Sequence, residues 1–165
     1  MSLERFCRRH VATILPTVTV REAATKMRER RSGYLVVVED EKPVGVITDR
    51  DVAFRVVAEG RAPDAPVAEV MTREPLVVRI DDTADRVVLQ MRRAGVHRLP
   101  VVDLAGRLMG LVSASDLLLV VASDLAQVGM TLGRLEERNP LGVRIFRAEE
   151  DARRGRPLRP LRRLR

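Results

Sequence analysis

The chain has 165 residues and a mass of 18.5 kDa, which suits one compact domain or two small domains sharing a core, and is short for a large enzyme. Aromatic residues make up only 2% of the chain, so the core must be built from aliphatic side chains and aromatic stacking pockets are not expected. The net charge of +7 is concentrated in residues 134–165, where 11 Arg accompany 5 acidic residues, and the rest of the chain is nearly neutral.

The first part of the chain predicts a strand, a helix, two strands joined by a polar turn, and a second helix. Thr19 is expected to open the first helix, because Glu22 three residues later completes a capping-box pattern. The other predicted elements are strands at Val11–Leu15, Tyr34–Val38 and Val44–Thr48 and a helix from Asp51 towards Gly60. The Gly- and Pro-containing stretch Gly60–Pro66 then predicts a linker.

The second part of the chain repeats this order. A shift of 64 positions superposes Met27 on Met91. After one extra loop residue the shift becomes 65 and superposes Asp51 on Asp116. The second set of predicted elements is a strand at Leu76–Ile80, a helix opened at Asp82–Thr83, strands at Leu99–Val102 and Leu108–Ser113, and a helix from Asp116 to about Gln127. Because the middle strands of both repeats are apolar throughout, both of their faces are expected to be covered.

Two segments in matching frames, Gly45–Asp51 and Gly110–Asp116, each contain Gly, two apolar residues, Thr or Ser, two variable residues and Asp. This pattern resembles the nucleotide-binding signature of CBS domains. Val70–Pro75 is similar to the opening of a second CBS repeat, and His97–Asp103 is similar to the second strand of adenine-nucleotide-sensing CBS proteins. The resemblance covers Val11–Leu125. It implies an α+β fold of two tandem β-α-β-β-α CBS repeats, related by a pseudo-two-fold axis, with sheets covered by helices.

Thr48 and Ser113 are predicted at strand-to-helix junctions, where a hydroxyl beside free amide N–H groups at the positive end of a helix dipole favours a phosphate. Asp51 and Asp116 follow three residues later on the same face of the first turn, and an ionised carboxylate suits two donors such as a ribose diol. The same spacing is also a helix-cap pattern, so capping and ligand binding are alternatives that can coexist.

The resemblance implies further ligand contacts around two clefts. His97 and Arg98 would approach the phosphates, whereas the first repeat has Gly33 and Tyr34 at these positions, so the two clefts are not equivalent. Each cleft would take its ribose carboxylate from one repeat and its base pocket from the other. The implied pocket residues are Leu15, Val20 and Gly33 opposite Ser113 and Asp116, and Arg79, Ala84 and Val96 opposite Thr48 and Asp51.

The resemblance therefore implies a regulatory sensor, not an enzyme, that binds AMP, ADP or ATP, with S-adenosylmethionine as an alternative. No catalytic or metal site is expected, because His10 and His97 lack metal-ligand spacing and a nucleophile motif beside them. Cys7 is the only cysteine, so an internal disulfide is excluded. No signal-like segment and no uninterrupted membrane-length apolar stretch is found, so a cytoplasmic protein without membrane contact is expected.

The predicted organisation is an N-terminal segment 1–10, a first repeat 11–60, a linker 61–69, a second repeat 70–127 and a basic, flexible tail 128–165. Leu117–Ala122 is apolar all around its helix, so packing between the repeats or a second copy must bury it, and a homodimer is expected. The tail carries seven Arg and no acid after residue 151, which leaves nucleic-acid binding as one alternative function. A structural dimerisation module with empty clefts is another. The regulated partner protein is not identified.

Overall fold

A computed structural model describes residues 3–137, with the backbone alone described for residues 132–137. The chain divides into two units, Met1–Asp124, which contains both repeats, and Leu125–Arg165. Residues 128–137 of the predicted tail are helical, and residues 138–165, including the Arg-rich stretch, lie outside the described residues.

Every strand and helix expected from the sequence is present in the predicted order, which confirms the α+β fold class. The strands are β1 Thr13–Ile14, β2 Tyr34–Glu39, β3 Lys42–Thr48, β4 Thr72–Arg73, β5 Val78–Arg79, β6 Arg98–Val102 and β7 Leu108–Ser113. The helices are α1 Val20–Arg30, α2 Asp49–Asp51, α3 Ala84–Ala94 and α4 Ala114–Glu137. A π-helix, Val52–Val57, continues α2, and short 3-10 helices lie at Leu3–Phe6 and Val67–Glu69.

The two repeats form two sheets with the same pairing pattern. The first sheet has the order β1-β2-β3-β4 and the second the order β5-β6-β7, and in each the first pair is parallel and the next antiparallel. In the antiparallel pairs, Tyr34 lies opposite Thr48 and Arg98 lies opposite Ser113. The register therefore places the residue that starts the middle strand beside the hydroxyl residue that ends the next one, in both repeats.

The predicted capping box at the start of α1 is confirmed. The Thr19 amide donates to Glu22 Oε2 at 2.8 Å, and the Glu22 amide donates to Thr19 Oγ1 at 3.2 Å. At the start of α3, Thr83 makes no such side-chain cap bond. Both α1 and α3 end at a left-handed residue, Arg31 and Gly95 respectively.

Each repeat has its own aliphatic core, and each core takes in the segment that precedes the other repeat. Besides the helices and strands of repeat one, the first core contains Val67, Val70 and Met71. The second core contains Leu3 and Phe6 in the same way. Under the 64-residue shift Leu3 corresponds to Val67 and Phe6 to Val70, so the two segments are structural counterparts.

Backbone pairing continues this exchange. β4 pairs with β3, with Thr72 opposite Val46. Arg8 pairs with Leu111 in β7 through two hydrogen bonds of 2.9 Å, one in each direction. The sequence set residues 1–10 apart as a charged segment and residues 61–69 as a linker, whereas their few apolar side chains complete the two cores. The pattern was missed because each segment closes the sheet that lies farther from it along the chain.

The middle strands are buried on both faces, as predicted. Alternation along β2 and β6 sends Leu35, Val37, Leu99 and Val101 into the cores, and their neighbours on the opposite face are buried as well. The repeats touch through their strand-connecting turns, where the Leu108 amide donates to the Glu41 carbonyl at 2.8 Å.

Candidate functional site

The start of α2 is a complete capping box built from Thr48 and Asp51. The Thr48 amide and hydroxyl both donate to Asp51 Oδ2, at 2.9 and 2.7 Å, and the Asp51 amide donates to Thr48 Oγ1 at 3.1 Å. Arg55, one turn later, lies 3.1 Å from Asp51 Oδ1. The capping interpretation of this motif is therefore confirmed, and both oxygens of the carboxylate already have donors.

The start of α4 follows the same plan with a different arginine. The Ser113 hydroxyl donates to Asp116 Oδ2 at 2.5 Å, and the Asp116 amide donates to Ser113 Oγ at 3.1 Å. The other oxygen, Oδ1, accepts from Arg8 Nε at 2.7 Å. Arg8 comes from the N-terminal segment, 108 residues earlier in the chain, and Ser113 is buried at the end of β7.

The amide groups expected to be free for a phosphate are largely occupied. At α2, the Asp49 amide donates to the Gly33 carbonyl at 3.1 Å and the Arg50 amide donates to Asp49 Oδ1 at 2.8 Å. At α4, the Ala114 amide donates to the His97 carbonyl at 2.9 Å. At both helix starts the antiparallel pairing runs one residue past the hydroxyl position, so the preceding strand supplies the acceptor for the Asp49 and Ala114 amides.

Asp49 makes the two helix starts electrostatically different. A Cβ on Gly33 would lie 2.2 Å from Asp49 Oδ2, so this carboxylate covers the glycine at the position that His97 occupies in the second repeat. The residue equivalent to Asp49 in the second repeat is Ala114, which is uncharged. A phosphate is therefore disfavoured by like charge beside Thr48, whereas no such charge occupies the equivalent position beside Ser113.

The residues that start the middle strands, Tyr34 and Arg98, influence each other electrostatically across the repeat boundary. Arg98 is exposed, as is His97, and Arg98 lies beside Ser113 in the sheet register. Burial raises the pKa of Tyr34 above its ordinary value, and the charge of Arg98 opposes this rise, so the guanidinium acts across the repeat boundary. The sheet register thus pairs Tyr34 with Thr48 and Arg98 with Ser113 at equivalent positions of the two repeats.

The residues expected to line the base pockets differ widely in solvent exposure. Their environments are an exposed Leu15 after β1, a core-buried Val20, a half-buried Gly33, an exposed Arg79, a half-buried Ala84 and a partly exposed Val96. Arg79 is held by Asp81 through bonds of 2.9 and 2.8 Å, and this contact lowers the pKa of Asp81. No hydrogen bond within the described part of the chain joins these residues to Asp51 or Asp116. Their pocket roles stay predictions.

Sequence reasoning missed Arg8, Asp49 and Arg55. Arg55 was accessible, because an acid followed four residues later by Arg is a standard helix pair. Asp49 stands at a variable position of the motif and gave no signal. Arg8 was not accessible from local spacing, since its contact with Asp116 depends on the exchange of segments.

Much of the apolar surface of α4 is left uncovered by the residues that the structure describes. Leu117 is 5% exposed in the second core, but Leu118 and Leu119 are 70% and 64% exposed. Packing between the repeats therefore buries only one side of this helix, and of the two sequence-based explanations it does not by itself account for the apolar surface.

By length and composition, the window Ala114–Thr131 could span a membrane, with a mean hydropathy of 1.2. The sequence search overlooked it because polar residues interrupt the apolar run. Two of these, Asp116 and Asp124, bind Arg8 and Arg5. The first turns of α4 are thus part of the folded unit that holds both repeats. Among the residues that the structure describes, no group of three or more His, Cys, Asp or Glu is placed to hold a metal.

The CBS domain profile matches the chain twice, at residues 3–58 and 67–123. This chain is a tandem CBS-domain protein. Both matches include the exchanged segments, in agreement with their place in the two cores. The CBS domain-containing protein YhcV of Bacillus subtilis is 34% identical over 129 residues, which cover 78% of this chain and 91% of that protein.

Two further similar proteins are a CBS protein solved with a bound nucleotide and an enzyme that this chain matches over a part of its length. A CBS domain protein of Pyrobaculum aerophilum, solved in complex with AMP, is 27% identical with a TM-score of 0.66 and covers 74% of this chain and 99% of its own. The inosine-5'-monophosphate dehydrogenase of Korarchaeum cryptofilum is 38% identical over 113 residues, which cover 68% of this chain but 23% of the enzyme. That likeness concerns the CBS part alone, so it carries no catalytic activity to this chain.

Proposed function

We propose that this CBS pair is a regulatory module that binds an adenine nucleotide, AMP, ADP or ATP, with S-adenosylmethionine as the alternative ligand. The observation that carries the proposal is the Ser113–Asp116 pair at the start of α4, with Arg98 beside it in the sheet. The AMP bound by the similar Pyrobaculum protein supports an adenosine ligand.

The Asp116 cleft is the better candidate of the two. A nucleotide offers two ribose donors and one or more phosphate charges, so it needs a carboxylate and a cation within reach of each other. Asp116 is bonded to Ser113, and Arg98 lies opposite Ser113 in the sheet register, so this helix start has both kinds of group. Asp51 has an equivalent hydroxyl partner, but Asp49 adds a second negative charge close to it and no arginine stands at the position of Arg98.

Occupancy is read out through a homodimer in this proposal. α4 begins at the candidate site and continues into exposed Leu118 and Leu119, which a second copy would cover. A ligand that binds one dimer geometry better than another shifts their populations by no more than that difference in affinity. Size-exclusion chromatography with light scattering should give about twice 18.5 kDa, and a monomer would contradict this arrangement.

The ligand is tested by thermal melting with AMP, ADP, ATP, S-adenosylmethionine and, as a control, GMP. A ligand present at 100 times its dissociation constant adds about 2.7 kcal/mol to the free energy of unfolding. Asp116→Asn should abolish the rise in melting temperature, whereas the matched variant Asp51→Asn should keep it.

Three results would change the assignment. Loss of the response in Asp51→Asn alone would move the ligand to the other cleft, and an unchanged response in both variants would remove the ribose role. If no nucleotide shifts the melt, a structural module with empty clefts is the better description. The existing bonds of both carboxylates to cap donors and arginines fit that outcome.

A further inference from the structure

We propose that Arg8 is an autoinhibitory latch on Asp116, so that nucleotide binding releases residues 8–10, the end of the N-terminal segment, from β7, while Leu3 and Phe6 stay in the second core. The proposal rests on the proposed function, because it assigns the nucleotide to the Asp116 cleft. It adds a regulated element, the segment itself, which the nucleotide-binding role does not require.

The latch occupies the lone pairs that a ribose would use. Asp116 Oδ1 accepts from Arg8 Nε at 2.7 Å and is paired with a second nitrogen of the same guanidinium, while Oδ2 accepts from Ser113 at 2.5 Å. The Asp116 side chain is only 12% exposed, so little of its carboxylate is open to solvent or to a ligand while Arg8 is bound. Ribose hydroxyls must donate to this carboxylate, and they therefore compete with a donor already in place.

Arg8 is the donor that can leave. Its side chain is 66% exposed, and an ion pair to an exposed arginine is weak because water replaces the contact at little cost. Ser113 is buried at the end of β7 and also caps α4, so it stays.

Loss of the Asp116 contact weakens the segment from one end. Besides this ion pair, Arg8 holds β7 only through its two backbone bonds with Leu111. Arg5 holds the other end by bonding Asp124 at 2.9 and 3.3 Å, about 12 Å farther along α4. The segment is therefore expected to open at Arg8 first, while Arg5 keeps its own contact.

The first repeat lacks this device. There the arginine that pairs with Asp51 is Arg55, which belongs to the helix that Asp51 starts. Arg55 reaches outward to the Val70 carbonyl at 2.7 Å and to the Thr72 hydroxyl at 3.1 Å. Its displacement from Asp51 would leave these two bonds in place, so the segment that closes the first sheet would not be released.

The test compares Arg8→Ala with the matched control Arg5→Ala, which removes the other ion pair of the same segment. Calorimetric titration with AMP should show binding about threefold to fivefold tighter in Arg8→Ala, the upper part of the range expected for loss of one competing exposed ion pair. Arg5→Ala should stay within about twofold of the parent. In the parent protein, AMP should speed hydrogen exchange at the Arg8 and Leu111 amides.

The outcomes separate the latch from the nucleotide site. If AMP binds the parent and Arg8→Ala binds it equally or more weakly, the latch is wrong and the proposed function stands. If neither protein binds AMP, ADP, ATP or S-adenosylmethionine, the proposed function fails, and the latch fails with it. Without any ligand, Asp116→Asn should speed exchange at the Arg8 amide while Asp51→Asn should not. Equal exchange in these two variants would overturn the latch independently of AMP.

Discussion

Substitution of Gly110 by alanine tests the crossing of the N-terminal segment over β7. A Cβ at Gly110 would lie 2.2 Å from Cys7 Sγ and 2.7 Å from the Arg8 carbonyl oxygen. The equivalent Gly45 in β3 offers a matched comparison, because its Cβ would lie 2.3 Å from Met71 Sδ and its nearest neighbours all belong to that flexible side chain. Since a thioether can turn aside and a paired backbone cannot, Gly110→Ala should be the more damaging change.

The expected loss in the free energy of unfolding depends on whether a side chain or the backbone must move to admit the new Cβ. Overpacking relieved by a side-chain rotation costs about 1–3 kcal/mol, and Gly45→Ala should fall in that range. Gly110→Ala must shift the backbone at Arg8, and its cost is limited by release of the whole segment. Release exposes Leu3 and Phe6, each worth about 1.5–3 kcal/mol of burial, so the limit is about 3–6 kcal/mol.

Urea unfolding followed by circular dichroism measures both losses on the same scale. The double variant Cys7→Ala, Gly110→Ala serves as a control, since it removes the sulfur contact but keeps the clash with the Arg8 carbonyl. It should remain clearly less stable than Cys7→Ala alone. A Gly110→Ala protein that is as stable as Gly45→Ala, or more so, would refute the account of the crossing.

Two further predictions concern buried side chains. Burial raises the pKa of Tyr34, so the unfolded chain ionises first, and stability that is present below about pH 10 is lost as the pH rises beyond it. Tyr34→Phe should remove this part of the loss, and because the chain has one tyrosine, ultraviolet titration of the phenolate reports it directly; an ordinary pKa would contradict the burial. Phe6→Ala should cost about 3–5 kcal/mol, while Leu104→Ala at an exposed turn should cost under about 0.5 kcal/mol. Similar losses in the two would mean that the N-terminal segment does not belong to the second core.

The repeat could be predicted because its signals are local. The Thr19–Glu22 capping box and the apolar middle strands depend on residues close together in the chain, and all of these features are present. The hydroxyl-to-acid spacing at Thr48–Asp51 was equally predictable from the sequence, and in the structure these two residues form a capping box.

The exchange of segments could not be predicted, because no local sequence feature distinguishes a segment that pairs with the sheet of its own repeat from one that pairs with the sheet of the other repeat. Leu3 and Phe6 are only two apolar side chains among charged neighbours, and two positions are too few to show a period. The Arg8–Asp116 contact depends on that exchange and was missed with it. The end of α4 was misplaced because the helix continues well beyond Val120 and Asp124, where it contacts the second core and Arg5.

The reciprocal closure of the two sheets bears on how such a protein could arise or be divided. A single repeat made alone would carry the groove that Val67 and Val70, or Leu3 and Phe6, normally fill, yet its own leading segment would belong in a neighbour. Such a single repeat could fill its groove only by exchanging leading segments with an identical repeat. Two repeats, in one chain or in two, are thus the smallest assembly in which every leading segment is buried in a core.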